Sequence, residues 1–380
     1  MTTDSLSEAR ATGVPTARRD RRRAEPERRG RRRGGRRVGD VVRTGVVAWL
    51  LVVMTSWAIA QSPIHFGFDA KSLTRTRALG VPVTLASTWA GPWVQKFGWK
   101  GVEDDLRASK AAGAVPVVQW WYWGDDISPA CVENGCRDRY HGVQKDRATW
   151  SRLSNELADL IVRIGGVNPE ALVVLETEFN KNGIEQHKPF DGYLAEQAAI
   201  FHQRGIKVVI SFGNWDQARW KNFDRAITAA DMLGTMALQS SVRDASTYLS
   251  GADRLLGAAT YFHTTYRKPT FITDFGFSSY PESSYETYQD TVVRDIFRRM
   301  DEFQAAGVQG MIWRMLSDDP TFDTNNYHGM AERHWGLLHA DGSPKPAFLP
   351  FLNGTLGTRV AAAVAPRALL LRSTVEIGQD

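Results

Sequence analysis

The chain has 380 residues, 43% of them hydrophobic and 23% charged, a mix that excludes wholesale disorder, a fibrous repeat and a polytopic membrane protein. Its net charge of +5 is unevenly placed: 14 of the 47 Lys+Arg and six of the 42 Asp+Glu lie in residues 1–43, and residues 44–60 carry no charge. The leader is therefore net +8 and the remainder, 61–380, is net −3, so the folded part offers no field for nucleic acid or another polyanion.

Residues 1–43 read as a disordered arginine-rich tail that orients the next segment or touches anionic lipid. Residues 44–60, TGVVAWLLVVMTSWAIA, follow Arg43 directly and end in Ala58-Ile59-Ala60, a small-x-small pattern of the kind signal peptidases cut. Two readings stay open: a cleaved export signal, or a single membrane anchor at the lower end of spanning length with its tail in the cytoplasm. Either way the rest of the chain is expected to be exported, secreted or held at the cell surface. Cys131 and Cys136 are the only cysteines, and in an exported chain a pair this close is expected to close a small loop as a disulfide. A metal site there needs more ligands than the neighbouring His141 supplies.

From residue 64 onward, short apolar runs alternate with amphipathic helical stretches. The runs are Ile64–Phe68, Val81–Ala86, Val115–Gln119, Leu172–Leu175, Ile206–Phe212, Leu233–Leu238, Thr270–Thr273 and Gly310–Trp313, eight predicted strands. Leu153, Leu157, Leu160, Ile161 and Ile164 share one helical face before strand four; Val292, Val293, Ile296, Phe297, Met300 and Phe303 share another before strand eight. Gly113, Gly205 and Gly307 each stand between a helical run and a strand, as left-handed caps do. The expected fold class is α/β, a single (β/α)₈ TIM barrel over 61–352, with a tail over 353–380 in which Ala361–Leu371 is apolar enough to pack as a last helix or to fray. Phe66-Gly67-Phe68-Asp69-Ala70 is no phosphate-binding turn, so no nucleotide cofactor is expected, and the scattered His residues give no metal-binding spacing. The sequence is silent on oligomeric state.

In such a barrel the working residues lie at the C-terminal ends of the strands. Ten of the eleven Trp beyond the leader follow predicted strands two, three, five and eight, among them Trp120, Trp215 and Trp313. Flat rings at one mouth suit the apolar C–H faces of sugars, although about half of such rings are expected only to wall the barrel. Strand four ends Leu175-Glu176-Thr177-Glu178-Phe179-Asn180, and a period of two puts Glu176 and Glu178 on one side, where two like charges raise at least one pKa. Strand seven runs into Thr273-Asp274-Phe275-Gly276, and strand eight ends Ile312-Trp313-Arg314.

These residues resemble those of the retaining glycoside hydrolases of clan A. In that clan an Asn-Glu-Pro-like tripeptide ends strand four, an Ile-Thr-Glu-Phe-Gly-like run ends strand seven and a Trp ends strand eight. Thr177-Glu178-Phe179-Asn180, Ile272-Thr273-Asp274-Phe275-Gly276 and Trp313 stand at the matching places, and the run from Trp335 to Ala347 resembles the one that closes many of these barrels. The resemblance spans residues 64–351. It implies that Glu178 is the acid/base and Asp274 the nucleophile, that Trp313 floors the sugar, and that Asn180 or Glu176 orients the acid or a hydroxyl. Trp120, Trp215 and Asp69 complete the expected substrate-binding set. The implied activity is hydrolysis of a polysaccharide or oligosaccharide within its chain, without a cofactor. Two departures leave alternatives open: Thr177 stands where Asn is usual, and Asp274 is one methylene shorter than the usual Glu. The second withdraws the carboxylate by about 1.5 Å and leaves an inverting outcome open beside the retaining one. Asp69, Asp125, Asp126 and Glu176 also follow strands and are alternative nucleophiles, and a barrel that binds carbohydrate without cleaving it is the rival function.

Overall fold

The computed structural model describes residues 63–364. The expected tail, the uncharged segment 44–60 and residues 365–371 of the last apolar run lie outside these. Among the described residues, no helix is long and apolar enough to cross a membrane.

Eight parallel strands close a barrel: β1 (His65–Asp69), β2 (Leu85–Ala90), β3 (Val115–Trp120), β4 (Leu172–Leu175), β5 (Lys207–Gly213), β6 (Met232–Gln239), β7 (Thr270–Phe277) and β8 (Val308–Trp313). Chain neighbours are ring neighbours throughout, and β1 meets β8 to shut the ring. The principal helices are α1 (Leu73–Ala78), α2 (Lys100–Ala111), α3 (Arg147–Gly165), α4 (Pro189–His202), α5 (Asp224–Ala229), α6 (Gly251–Tyr266), α7 (Glu282–Arg298) and α8 (Phe348–Val364). The α3 face predicted from its period is buried, and Asp146 starts the helix by accepting from the Thr149 amide at 2.7 Å. Gly113, Gly205 and Gly307 hold φ of +60°, +70° and +77°, the left-handed turns the sequence implied.

One strand is displaced. β2 begins four residues after its predicted start, because Gly80 turns with φ +72°, Pro82 has no N–H for the ladder, and pairing opens only with Leu85 opposite Gly67. β7 is longer than expected, so Asp274 lies within the strand. Its register against β6 slips between the Thr235 and Met236 pairings, and that against β8 slips nearby, which marks a bulge at Thr273. The apparent single helical face before β8 is split at Arg299 into α7 and a short helix, Met300–Ala305.

The interior is filled at the base by Leu85, Val117, Leu172, Val174, Val209, Met232, Phe271 and Ile312. Above them lies a polar layer. Gln119 donates across the barrel to the Thr273 carbonyl (2.6 Å) and accepts from Thr177 (3.0 Å), while Thr273 bonds Ser211 at 2.9 Å. This layer is the floor of the mouth. The helix α8 runs through positions 352 and 353, and its Phe351 packs on Phe66, Phe68 and Trp313.

Candidate active site

The chain leaves β4 through two left-handed residues, Glu176 (φ +48°) and Glu178 (φ +59°). Side chains other than Gly adopt this region at a cost and are found there mostly where the surroundings impose it. Here the turn is held by Glu176 N–H donating to the Trp120 carbonyl (3.0 Å) and Phe179 N–H donating to the Glu176 carbonyl (3.1 Å). The twist breaks the strand alternation, so the expectation that both carboxylates point the same way fails. Glu176 turns into the wall and accepts from the Tyr122 amide at 2.9 Å and the Trp123 amide at 3.1 Å. Glu178 faces the mouth with its side chain 29% exposed.

Burial pushes the Glu176 carboxyl up to about 8, against the pull of the Trp123 and Tyr122 amides and of Lys145. Its folded value lies above its ordinary 4.5, so ionisation costs stability: the cost is absent below about pH 4.5 and complete above about pH 8. We expect Glu176→Gln to remove that part of the fall in stability between those limits, read from denaturant midpoints across pH; an unchanged slope would show Glu176 already ionised in the wall.

Asp274 is 3% exposed, and an Nη of Arg314 donates to its Oδ2. Burial raises its carboxyl above the ordinary range, and Arg314 opposes this through charge and hydrogen bond. Burial likewise raises Glu178, with Lys181 and Arg314 opposing and Asp125 and Asp274 adding. Glu178 therefore senses the Asp274–Arg314 pair across the mouth. The two carboxylates differ in support: Asp274 has a half-buried guanidinium bonded to it, whereas the nearest cation to Glu178 is Lys181 Nζ at 3.7 Å. That asymmetry favours the anion at Asp274 and the acid at Glu178.

The rest of the expected set divides. Trp215 is 38% exposed and held by its indole N–H on the Asn180 carbonyl at 2.9 Å, so it offers a ring to the mouth. Asn180 itself spends its side chain on β5, accepting from the Gly213 amide (2.6 Å) and donating to the Gly213 carbonyl (3.1 Å), and so positions Trp215 rather than the acid. Asp69 is a cap, with its two oxygens on the amide and hydroxyl of Ser72. Asp126 is tied to Lys145 and Arg139. Trp120 points outward, buried against Trp99 and Tyr122 with its indole N–H on Ser154 (2.8 Å). Trp313 also points outward, edge-on to Phe275 and Phe351 and tilted against Phe277, with its N–H on the Trp335 carbonyl at 3.0 Å. Neither ring presents a face to a sugar, which corrects both expectations. The physical reason is parity: with Val117 and Ile312 inside the barrel, Trp120 and Trp313 must be outside.

Trp313→Ala is accordingly expected to destabilise the fold by about 3–5 kcal/mol, seen as a lower thermal midpoint. A ring flooring the sugar would instead lose glycan binding at unchanged stability.

The same parity brings in Arg314, for which no role was expected, and Trp121, one of the rings expected at the mouth. Arg314 follows Trp313 into the mouth. Trp121, half-buried, stands edge-on to Trp89 at 5.9 Å and donates to the Thr177 carbonyl at 3.2 Å. Lys181 follows Glu178 by three residues in the loop after β4. The cysteines form a disulfide, Cys131–Cys136, in the loop after β3. No cluster of His, Cys, Asp and Glu among the described residues has the arrangement to hold a metal ion.

No protein-family model matches the chain, and no curated protein matches it in sequence. Solved structures do match in fold. A GH5_18 protein from Bifidobacterium longum subsp. longum superposes with TM-score 0.57 at 15% identity, covering 78% of this chain and 79% of that one. An exo-β-1,4-mannosidase from an Opitutaceae bacterium gives TM-score 0.60 at 12% identity over 80% and 61% of the two chains. Xylanase B from Clostridium stercorarium gives 0.52 at 14% identity over 77% and 97%. The shared fold is the closed eight-stranded (β/α)₈ barrel. At this identity the likeness establishes architecture, and the neighbours' activities differ among themselves.

Proposed function

We propose that this protein is a glycoside hydrolase that cleaves O-glycosidic bonds of a polysaccharide or envelope glycan, with Glu178 as acid/base and Asp274 as nucleophile. The observation that carries the reading is the asymmetric pair: two buried-to-half-buried carboxylates at one barrel mouth, one bonded to Arg314, the other without a hydrogen bond to its carboxyl among the described residues. Glu178 gives its proton to the glycosidic oxygen as the bond to the anomeric carbon breaks, and Asp274 closes an ester on that carbon. Glu178, now a carboxylate, takes a proton from water; the water oxygen attacks the anomeric carbon, the ester bond breaks, and Asp274 and the acid are restored. Retention of anomeric configuration follows from this double displacement. Cleavage within the chain is favoured by the spread of partly exposed rings, with Trp89, Trp93 and Trp121 on one side and Trp215 on another. The mannosidase and xylanase names of the fold neighbours are consistent with a carbohydrate partner. Export rests on the uncharged segment behind the arginine-rich tail.

The test is incubation of the purified protein with a panel of envelope and plant polysaccharides, reading release of reducing ends, with proton NMR of the first product for its anomer. Release of oligosaccharides with a retained anomer supports the proposal. Tight binding of a polysaccharide without cleavage would assign the barrel to carbohydrate binding instead.

A further inference from the structure

The acid is not alone on its side of the mouth. Lys181 Nζ sits 3.7 Å from Glu178 Oε2 but 2.6 Å from Asp125 Oδ1, on the loop that follows β3. Asp125 is itself fixed. Its other oxygen accepts from the Tyr140 hydroxyl at 2.7 Å, and its backbone carbonyl accepts from Arg139 (2.9 Å) and Asn182 (3.2 Å). The lysine thus stands between two carboxylates and is hydrogen-bonded to the one outside the proposed chemistry. Its Nζ lies over the Trp121 ring, 5.7 Å from the ring centre.

We propose that Asp125 is a positioning residue for the acid: with Tyr140 it keeps the Lys181 ammonium in a hydrogen bond of its own and so denies Glu178 a close ion pair. The inference rests on the reading of Glu178 as the acid. It adds a device which that reading does not contain. A general acid with an ammonium bonded to it gives up its proton too early, because the opposite charge favours the carboxylate. Asp125 works against this twice, by holding the ammonium away and by contributing a negative charge of its own. The remaining charged groups that face Glu178 are Arg314 from the end of β8 and Asp274 from β7, which act in opposite senses. Burial acts upward on Asp125, yet Lys181 and Tyr140 outweigh it and hold its carboxyl below the ordinary value, so it remains an anion while the acid is protonated. Burial and the bond to Asp125 push the Tyr140 phenol up, so it stays a donor.

In kcat/KM against pH, the alkaline limb reports loss of the acid's proton in the free enzyme. Asp125→Asn frees Lys181 to close on Glu178, and that limb is expected to move to lower pH by about one unit. Lys181→Met removes the ammonium and is expected to move it to higher pH. The double variant should lie above Asp125→Asn, because Asp125 has nothing left to hold. A direct readout is the side-chain carboxyl resonance of Glu178 in carbon-13-labelled protein, assigned by its disappearance in Glu178→Gln and titrated in each variant. The inference is overturned if Asp125→Asn leaves the Glu178 midpoint in place, or if Lys181→Met lowers it. Should Asp125→Asn fail to fold, Lys181→Met and Tyr140→Phe decide, the latter expected to shift the midpoint downward. If the unaltered protein cleaves no glycan, the enzyme reading fails, while the Glu178 titration still upholds or sinks the arrangement around Lys181.

Discussion

Asp274→Asn is expected to abolish glycan cleavage, with kcat/KM falling by at least about 10⁴-fold. An amide does not form the glycosyl ester, and the negative charge that faces the developing positive charge at the anomeric carbon is lost with it. The substitution also leaves Arg314 without its anion in a position where its side chain is only 18% exposed, so the variant should unfold at a lower temperature as well. The two effects are separable: activity is measured well below the variant's own midpoint, and binding of an oligosaccharide is measured on the same preparation. In Asp274→Gly, where the side chain is removed, azide can enter the vacated position and displace the leaving group of an activated glycoside, and a glycosyl azide of inverted configuration is the expected product. Hydrolysis at the unaltered rate would move the nucleophile elsewhere.

Glu178→Gln is expected to lower kcat/KM on natural glycans by about 10²–10⁴-fold. Its signature is selectivity. Glycosides whose leaving group departs without a proton should still form the ester at an appreciable rate, because Asp274 and Arg314 are untouched. Their turnover should then stall at the second step, where Glu178 activates water. A burst of released leaving group followed by slow turnover is the expected trace, with no fall in stability, since Glu178 is 29% exposed and makes no hydrogen bond through its carboxyl among the described residues. Equal losses on activated and natural glycosides would place the acid on another residue.

The strand order was legible because it depends on periodicity, and the caps because Gly113, Gly205 and Gly307 are small residues at places that need positive φ. Both candidate carboxylates were legible for a similar reason: an acid at the end of an apolar run stands out. The rings were not. A Trp in the barrel wall and a Trp in the groove leave the same mark on composition, and only the parity of each strand tells them apart. Counting from Val117 and Ile312 as interior residues puts Gln119, Trp121 and Arg314 in the mouth and Trp120 and Trp313 outside it, but which residues are interior was not visible from the runs alone. The turn through Glu176 and Glu178 was hidden for a different reason, since non-Gly residues at positive φ are imposed by hydrogen bonds from distant parts of the chain. Lys181 and Asp125 belong together only because the loops after β3 and β4 meet.

Phe351 touches Phe66 and Phe68 of β1 and Trp313 of β8, so one ring on the last helix lies across the seam where the barrel shuts. During synthesis β1 emerges first, yet the strand that must pair with it and the helix that covers the join emerge last. The unpaired side of β1 therefore waits for nearly the whole domain before it is satisfied, and contacts of such sequence separation slow folding. A ribosome-bound chain halted before β8 would hold an open sheet with two bare edges, the form most exposed to aggregation.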